Sequence, residues 1–158
     1  MKDDLRDLYQ EVILDHGRRP RNLRPLSDAN RQANGHNPMC GDTLTVFLKV
    51  DKVGLVREAT FDGHGCAISV ASASMMTEIL AGKSEEEARA LFHAFQAMCT
   101  GDSLKESGSM LLEGLQDALE RLQVLSGVRR FPVRVKCATL AWHTMAAAVD
   151  GTSTASTE

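Results

Sequence analysis

No stretch of this chain approaches the roughly 18 consecutive apolar residues that mark a membrane span. The charged start Lys2, Asp3, Asp4, Arg6 and Asp7 has no apolar signal core. A basic surplus is missing too: the formal net charge is −3, and nonspecific nucleic-acid binding needs an excess of Lys and Arg. The local cluster Arg18, Arg19, Arg21 and Arg24 reads as a solvated loop or as a docking surface for an acidic partner. There is no zinc-finger CxxC pair, no His-Glu-x-x-His run and no internal repeat. These absences leave a cytoplasmic protein, with no membrane and no nucleic acid among its expected partners.

What is present fits one domain with one core. The chain has 158 residues, 43% of them hydrophobic and 25% charged, ordinary values for a globular domain. Residues 1–150 are expected to form it, with the polar Ser/Thr run 151–158 as a disordered tail. Four cysteines in a reducing compartment point to metal binding or reactivity before disulfides.

Hydrophobic periodicity gives the elements. Leu5, Leu8, Tyr9, Val12 and Ile13 recur at helical spacing over 4–16. Residues 17–39 hold Pro20, Pro25, Pro38 and Gly35 and read mostly as loop; a strand within them is possible but not legible. Thr43 to Asp51 alternates, with Leu44, Val46, Leu48 and Val50 on one face. Leu55 to Asp62, with Leu55, Ala59 and Phe61 on one face, is its hairpin partner across Lys52-Val53-Gly54. Ala67 to Ala81 is a helix of small residues stopped by Gly82. Ser84-x-x-Glu87 is a capping box opening a helix through Ala88, Leu91, Phe92, Phe95 and Met98. Residues 100–108 form a polar break. Leu111, Leu112, Leu115, Ala118, Leu119 and Leu122 mark a further helix. Arg129 to Val135 reads as extended around Pro132, and Cys137 to Val149 as the last helix. Early strands and late helices give an α+β layer, a small antiparallel sheet covered by about five helices.

Three cysteines and one aspartate stand beside turns or expected helix starts: Cys40 and Asp42 around Gly41, Cys66 after Gly65, and Cys137. Cys and Asp are usual zinc donors, and four of them complete a tetrahedron. Glycine lets a tight turn aim both neighbours inward, and a helix N-terminus favours a thiolate. The opposite reading is also open, because free cysteine is among the most buried residue types. It is the preferred reading for Cys99, at the end of an amphipathic helix beside Met98. His64 and His36 read as turn-stabilising groups or as donors to the ligands before ligands themselves. His16, His93 and His143 read as surface residues.

Cys40-Gly41-Asp42, then Phe61-Asp62-Gly63-His64-Gly65-Cys66-Ala67-Ile68-Ser69, then Arg134-Val135-Lys136-Cys137-Ala138-Thr139-Leu140-Ala141-Trp142 resemble the IscU/SufU (NifU N-terminal-like) family over residues 5 to 149. The resemblance implies a three-stranded antiparallel sheet under helices and a role in iron–sulfur cluster biogenesis. Lys136 stands where IscU-type scaffolds carry a histidine, and residues about 96–120 resemble the SufU-type insertion, so the SufU branch is favoured. Phe131-Pro132-Val133-Arg134 replaces the motif read by the scaffold chaperone. The resemblance then implies zinc on Cys40, Asp42, Cys66 and Cys137, with His64 and Lys136 beside the ligands. It also implies a PLP-dependent, SufS-type cysteine desulfurase as partner, docked with help from Arg134. Cys40 would accept persulfide sulfur after a partner histidine takes its place on the metal, then pass the sulfur to a Suf-type scaffold or to apo iron–sulfur proteins.

The alternative is a scaffold that assembles a labile 2Fe–2S cluster on the same ligands, since a carboxylate among thiolates weakens a cluster's hold. A zinc hydrolase is disfavoured. It needs an open coordination position and a general base, and Asp62 and Glu58 read as solvated strand residues.

Overall fold

The computed structural model describes residues 11–101 and 114–156. The first part of the expected 4–16 helix, most of the polar break, and Leu111 and Leu112 lie outside them. The described elements are α1 (Glu11–Arg18), β1 (Arg31–Asn37), β2 (Asp42–Val50), β3 (Val56–His64), α2 (Ala67–Leu80) and α3 (Glu85–Thr100). They continue with α4 (Gln116–Leu122), a 3-10 segment (Gln123–Arg130), α5 (Pro132–Val149) and β4 (Thr154–Ser156). The class is α+β, as expected, and five α-helices are described.

The sheet has four strands in the order β3-β2-β1-β4, one more than expected. β2 pairs antiparallel with β3 and with β1, while β4 runs parallel to β1. The hairpin forms as the alternation requires: Leu44, Val46, Leu48 and Val50 are all buried. A register shift between Lys49 and Val50 puts Val56, rather than Leu55, in the core.

Three expectations are corrected. Residues 31–37 are a strand, not loop. Its inward positions are Ala33, Gly35 and Asn37, small because α5 lies directly on them: a Cβ on Gly35 would stand 1.8 Å from Thr144 Oγ1. Residues 154–156 pair with β1 rather than lying free, and the Asn34 N–H donates to the Ser153 carbonyl at 2.8 Å. Arg129 to Val135 is not extended. A 3-10 segment runs to Arg130, and Pro132 opens α5, the first-turn position that suits a residue with fixed φ and no N–H.

The helices pack on one another and on the inner sheet face. α2 buries Ala71, Ser72, Ala73 and Ser74 between α1 and α5; small side chains permit that approach and their hydroxyls are satisfied. Ser72 donates to the Ala138 carbonyl at 2.5 Å. Ser74 Oγ accepts the Arg21 N–H at 2.8 Å and meets His16 Nδ1 at 2.7 Å. His16 is therefore buried, not a surface residue, and burial lowers its pKa. His93 is exposed as expected, whereas His143 is half-buried with its ring edge-on to Phe92 at 4.9 Å. The Ser84–Glu87 capping box is present in full, and α3 packs Phe95 against Trp142 of α5 at 5.2 Å.

The contact of β1 with α5 is testable. Gly35→Ala overpacks it and is expected to cost about 1–3 kcal/mol in chemical denaturation. Thr144→Ala removes the clashing hydroxyl, so the double variant should recover most of that loss.

Candidate metal centre

Three chain segments meet at one end of the sheet. The β1–β2 hairpin closes with Asn37 opposite Asp42. Both face inward; Asp42 is 1% exposed and Asn37 0%. The Asn37 carbonyl accepts the N–H groups of Cys40 at 3.3 Å and Gly41 at 2.9 Å. Gly41 has φ +71°, a left-handed turn conformation costly for other residues. Cys40 thus sits half-buried on a tight loop beside exposed Met39.

The second segment follows β3. Gly63 has φ +120°, and a Cβ there would stand 2.2 Å from the Thr43 carbonyl oxygen. This close backbone approach brings Gly65 and Cys66 up to Asp42. Cys66 caps α2, as expected, and its N–H donates to Asp42 Oδ1 at 2.9 Å.

The third segment is α5. Because this helix starts at Pro132, Cys137 lies in its second turn and not at its N-terminus, so the dipole argument does not apply to it. Cys137 is fully buried. Its sulfur lies 3.5 Å from Cys40 Sγ, 3.7 Å from Asn37 Nδ2 and 3.8 Å from Arg134 Nη1.

One donor atom each from Cys40, Asp42 and Cys137 lies within 4.8 Å of the others. Thiols and a carboxylate at that separation suit zinc, whose usual donors they are. Each Asp42 oxygen already accepts an N–H group: Oδ1 from Cys66 and Oδ2 from Asn37 Nδ2 at 3.2 Å. The carboxylate is thereby held from both sides. Cys66 falls outside the group of three, but its sulfur shares a hydrogen bond with Cys137. That bond is the main cause holding the Cys66 thiol below its ordinary pKa, aided by the N–H groups of Ser69 and Ile68; burial and the Asp42 charge oppose it. The same bond, then burial, pushes Cys137 up, with Arg134 opposing.

The remaining candidates separate. Arg134 is half-buried with its guanidinium on the Cys137 sulfur. Lys136 is half-buried on α5. His64 is exposed and pairs in register with exposed Thr43, on the sheet face opposite Asp42. His36 is exposed too, with Nδ1 3.4 Å from Thr43 Oγ1. Cys99 is buried in the core, and burial pushes its thiol up to about 12. Sequence reasoning missed Asn37; its signal was an inward position on a strand that apolar periodicity did not reveal.

The NifU-like N terminal domain profile matches residues 8–120. The Bacillus subtilis zinc-dependent sulfurtransferase SufU is 39% identical over 90% of this chain and 89% of its own length. The Streptococcus pyogenes iron–sulfur cluster assembly scaffold protein IscU is 38% identical over 92% of this chain and 84% of its own. A crystal structure from Fervidobacterium islandicum, described as a putative iron–sulfur cluster assembly scaffold protein for the SUF system, has a TM-score of 0.78 at 30% identity. That match covers 90% of this chain and 96% of the other. The chain belongs to the NifU-like N-terminal domain family.

Gly65 offers a direct test of the geometry. A Cβ there would stand 2.8 Å from Asp42 Oδ1 and 3.1 Å from Ser69 Cβ. Gly65→Ala is expected to weaken zinc binding at least roughly tenfold by displacing the carboxylate, read by competition with a chromophoric chelator.

Proposed function

We propose that this chain is a zinc-dependent sulfur acceptor in iron–sulfur cluster biogenesis, taking persulfide sulfur on Cys40 from a PLP-dependent, SufS-type cysteine desulfurase. The observation that carries the reading is the convergence of Cys40, Asp42 and Cys137 within 4.8 Å, in a chain 39% identical to a zinc-dependent sulfurtransferase. Cys66, hydrogen-bonded to Asp42 through its N–H, is the fourth ligand in this reading. Zinc held there supplies positive charge that keeps the thiols deprotonated at neutral pH.

The chain's residues do the rest. The Cys40 thiolate, on its exposed-side loop, attacks the sulfane sulfur of the partner's persulfide. A sulfur–sulfur bond forms on Cys40 as the one on the partner breaks, and the partner's cysteine leaves as a thiolate. Electrons balance without an outside oxidant. Arg134, beside the Cys137 sulfur, provides cationic charge where the anionic persulfide arrives, and Lys136 precedes the same cysteine. His64, exposed on the sheet face opposite Asp42, is left for contact with the partner. The sulfur then passes to a Suf-type scaffold or to apo iron–sulfur proteins. We place this in the cytoplasm, where thiols stay reduced. Among the described residues no helix is long and apolar enough to cross a membrane.

The second reading, a scaffold for a 2Fe–2S cluster, is supported by the relatives described as IscU scaffolds. Aerobic purification separates the two. A colourless protein with one tightly held zinc supports the sulfur acceptor, and a reconstitutable brown chromophore delivered intact to apo-proteins supports the scaffold.

In a desulfurase turnover assay, Cys40→Ser should abolish stimulation of the desulfurase while Cys99→Ser leaves it intact; equal loss in both rejects the assignment of Cys40. Zinc joining three separated segments contributes to folding. Chelation, or Cys66→Ser, is therefore expected to lower the thermal midpoint sharply, and an unchanged melting curve after metal removal counts against the site.

A further inference from the structure

We infer that Asn37 is the positioning residue of this centre. Its buried amide fixes two donors, Asp42 and Cys137, while its backbone carbonyl anchors the loop from which the third, Cys40, is free to leave. The inference rests on the metal reading of the site and adds a residue to it.

Asn37 is wholly buried, and a buried amide must find partners for both ends. The Met39 N–H donates to Asn37 Oδ1 at 3.2 Å. A backbone N–H cannot accept, so this contact sets which end of the amide is oxygen. The NH2 group therefore faces the site, with Nδ2 3.2 Å from Asp42 Oδ2 and 3.7 Å from Cys137 Sγ. Two hydrogens serve two acceptors from distant segments. The pairing of Asn37 with Asp42 across the hairpin places that amide inward by register. The amide is neutral. It orients a carboxylate and a thiolate without competing for a cation, whereas an acidic residue would repel both and an apolar one would leave both unserved.

The hydrogen bonds divide the donors. Cys137 faces Asn37 and Arg134. Cys66 caps α2 and is tied by its own N–H to Asp42 Oδ1. Both Asp42 oxygens are held. Among the described residues the Cys40 sulfur has one hydrogen-bond partner, Cys137 Sγ. N–H···S bonds stabilise thiolate charge and reduce its nucleophilicity, and the Cys40 sulfur, half-buried on the hairpin loop, receives none among the described residues. Asn37 holds both sides of this division through one residue.

The test uses the full chain with Asn37→Ala, and Asn37→Leu as a second variant that keeps the volume filled should the first not fold. Zinc affinity by chelator competition is expected to fall roughly 10–100-fold. The ligand-field bands of the Co2+-substituted protein should change, and the rise in thermal midpoint on adding zinc should shrink. Iodoacetamide mapping of the zinc-loaded protein should find label on Cys40 in the parent chain and spreading to Cys137 in the variants. A purely structural Asn37 would lower the midpoints with and without zinc alike, leaving affinity, spectrum and labelling pattern unchanged, and that result overturns the inference. If the parent chain binds no zinc, the metal reading falls and takes the inference with it. If the parent binds zinc and both variants match it, the inference alone falls.

Discussion

The structure turns on one buried carboxylate. Asp42 is 1% exposed, and a charge taken from water must be paired or fully hydrogen-bonded to persist. Its two oxygens are met from opposite sides, by the Asn37 amide of the neighbouring strand and by the Cys66 N–H at the start of α2. Those two bonds tie the end of β1 and the start of α2 to the first residue of β2. Asn37 reaches on to Cys137 of α5, so the whole constellation is braced through groups that carry no metal. The donors are pre-arranged by ordinary backbone and amide hydrogen bonds. An ion then has little conformational order left to impose at Asp42, and most to impose at Cys40.

That division fits the chemistry. A sulfur acceptor needs a thiolate at neutral pH, but a thiolate fully engaged by a cation or by N–H donors is a poor nucleophile. The arrangement separates the two demands among different cysteines. Cys66 and Cys137 share a hydrogen bond and draw on helix N–H groups and Arg134, which suits permanent ligands. Cys40 lies on the 38–41 loop, reached by solvent and flanked by Met39 at 61% exposure, which suits the ligand that must meet another protein's sulfur.

Much of this was legible in the sequence, and the exceptions have physical causes. The β2–β3 hairpin, α2 and the capped α3 followed from alternation, small-residue periodicity and Ser84-x-x-Glu87, because at those positions side-chain chemistry and burial agree. The residues around Gly41 and Gly65 were legible because turn glycines beside cysteines are distinctive. β1 was not, because its inward residues Ala33, Gly35 and Asn37 are chosen for closeness to α5 and for hydrogen bonding, not for apolarity. β4 was hidden in a Ser/Thr run whose pairing rests on backbone groups alone. The start of α5 was misplaced because a proline that breaks a helix and one that begins it look alike without knowledge of the preceding turn.

The misplaced helix start changes the account of Cys137 more than that of any other ligand. A cysteine at a helix N-terminus is activated by the dipole; one in the second turn and fully buried is not. The hydrogen bond with Cys66, then burial, pushes its thiol up, and the opposing influence comes from Arg134 one turn earlier on the same helix. In the proposed reading the arginine both eases deprotonation of a ligand and meets the incoming persulfide. Both roles draw on the same positive charge, close to the same sulfur, and neither requires Cys137 to act as the nucleophile. That role is the one proposed for Cys40, half-buried on the hairpin loop with its sulfur 3.5 Å away.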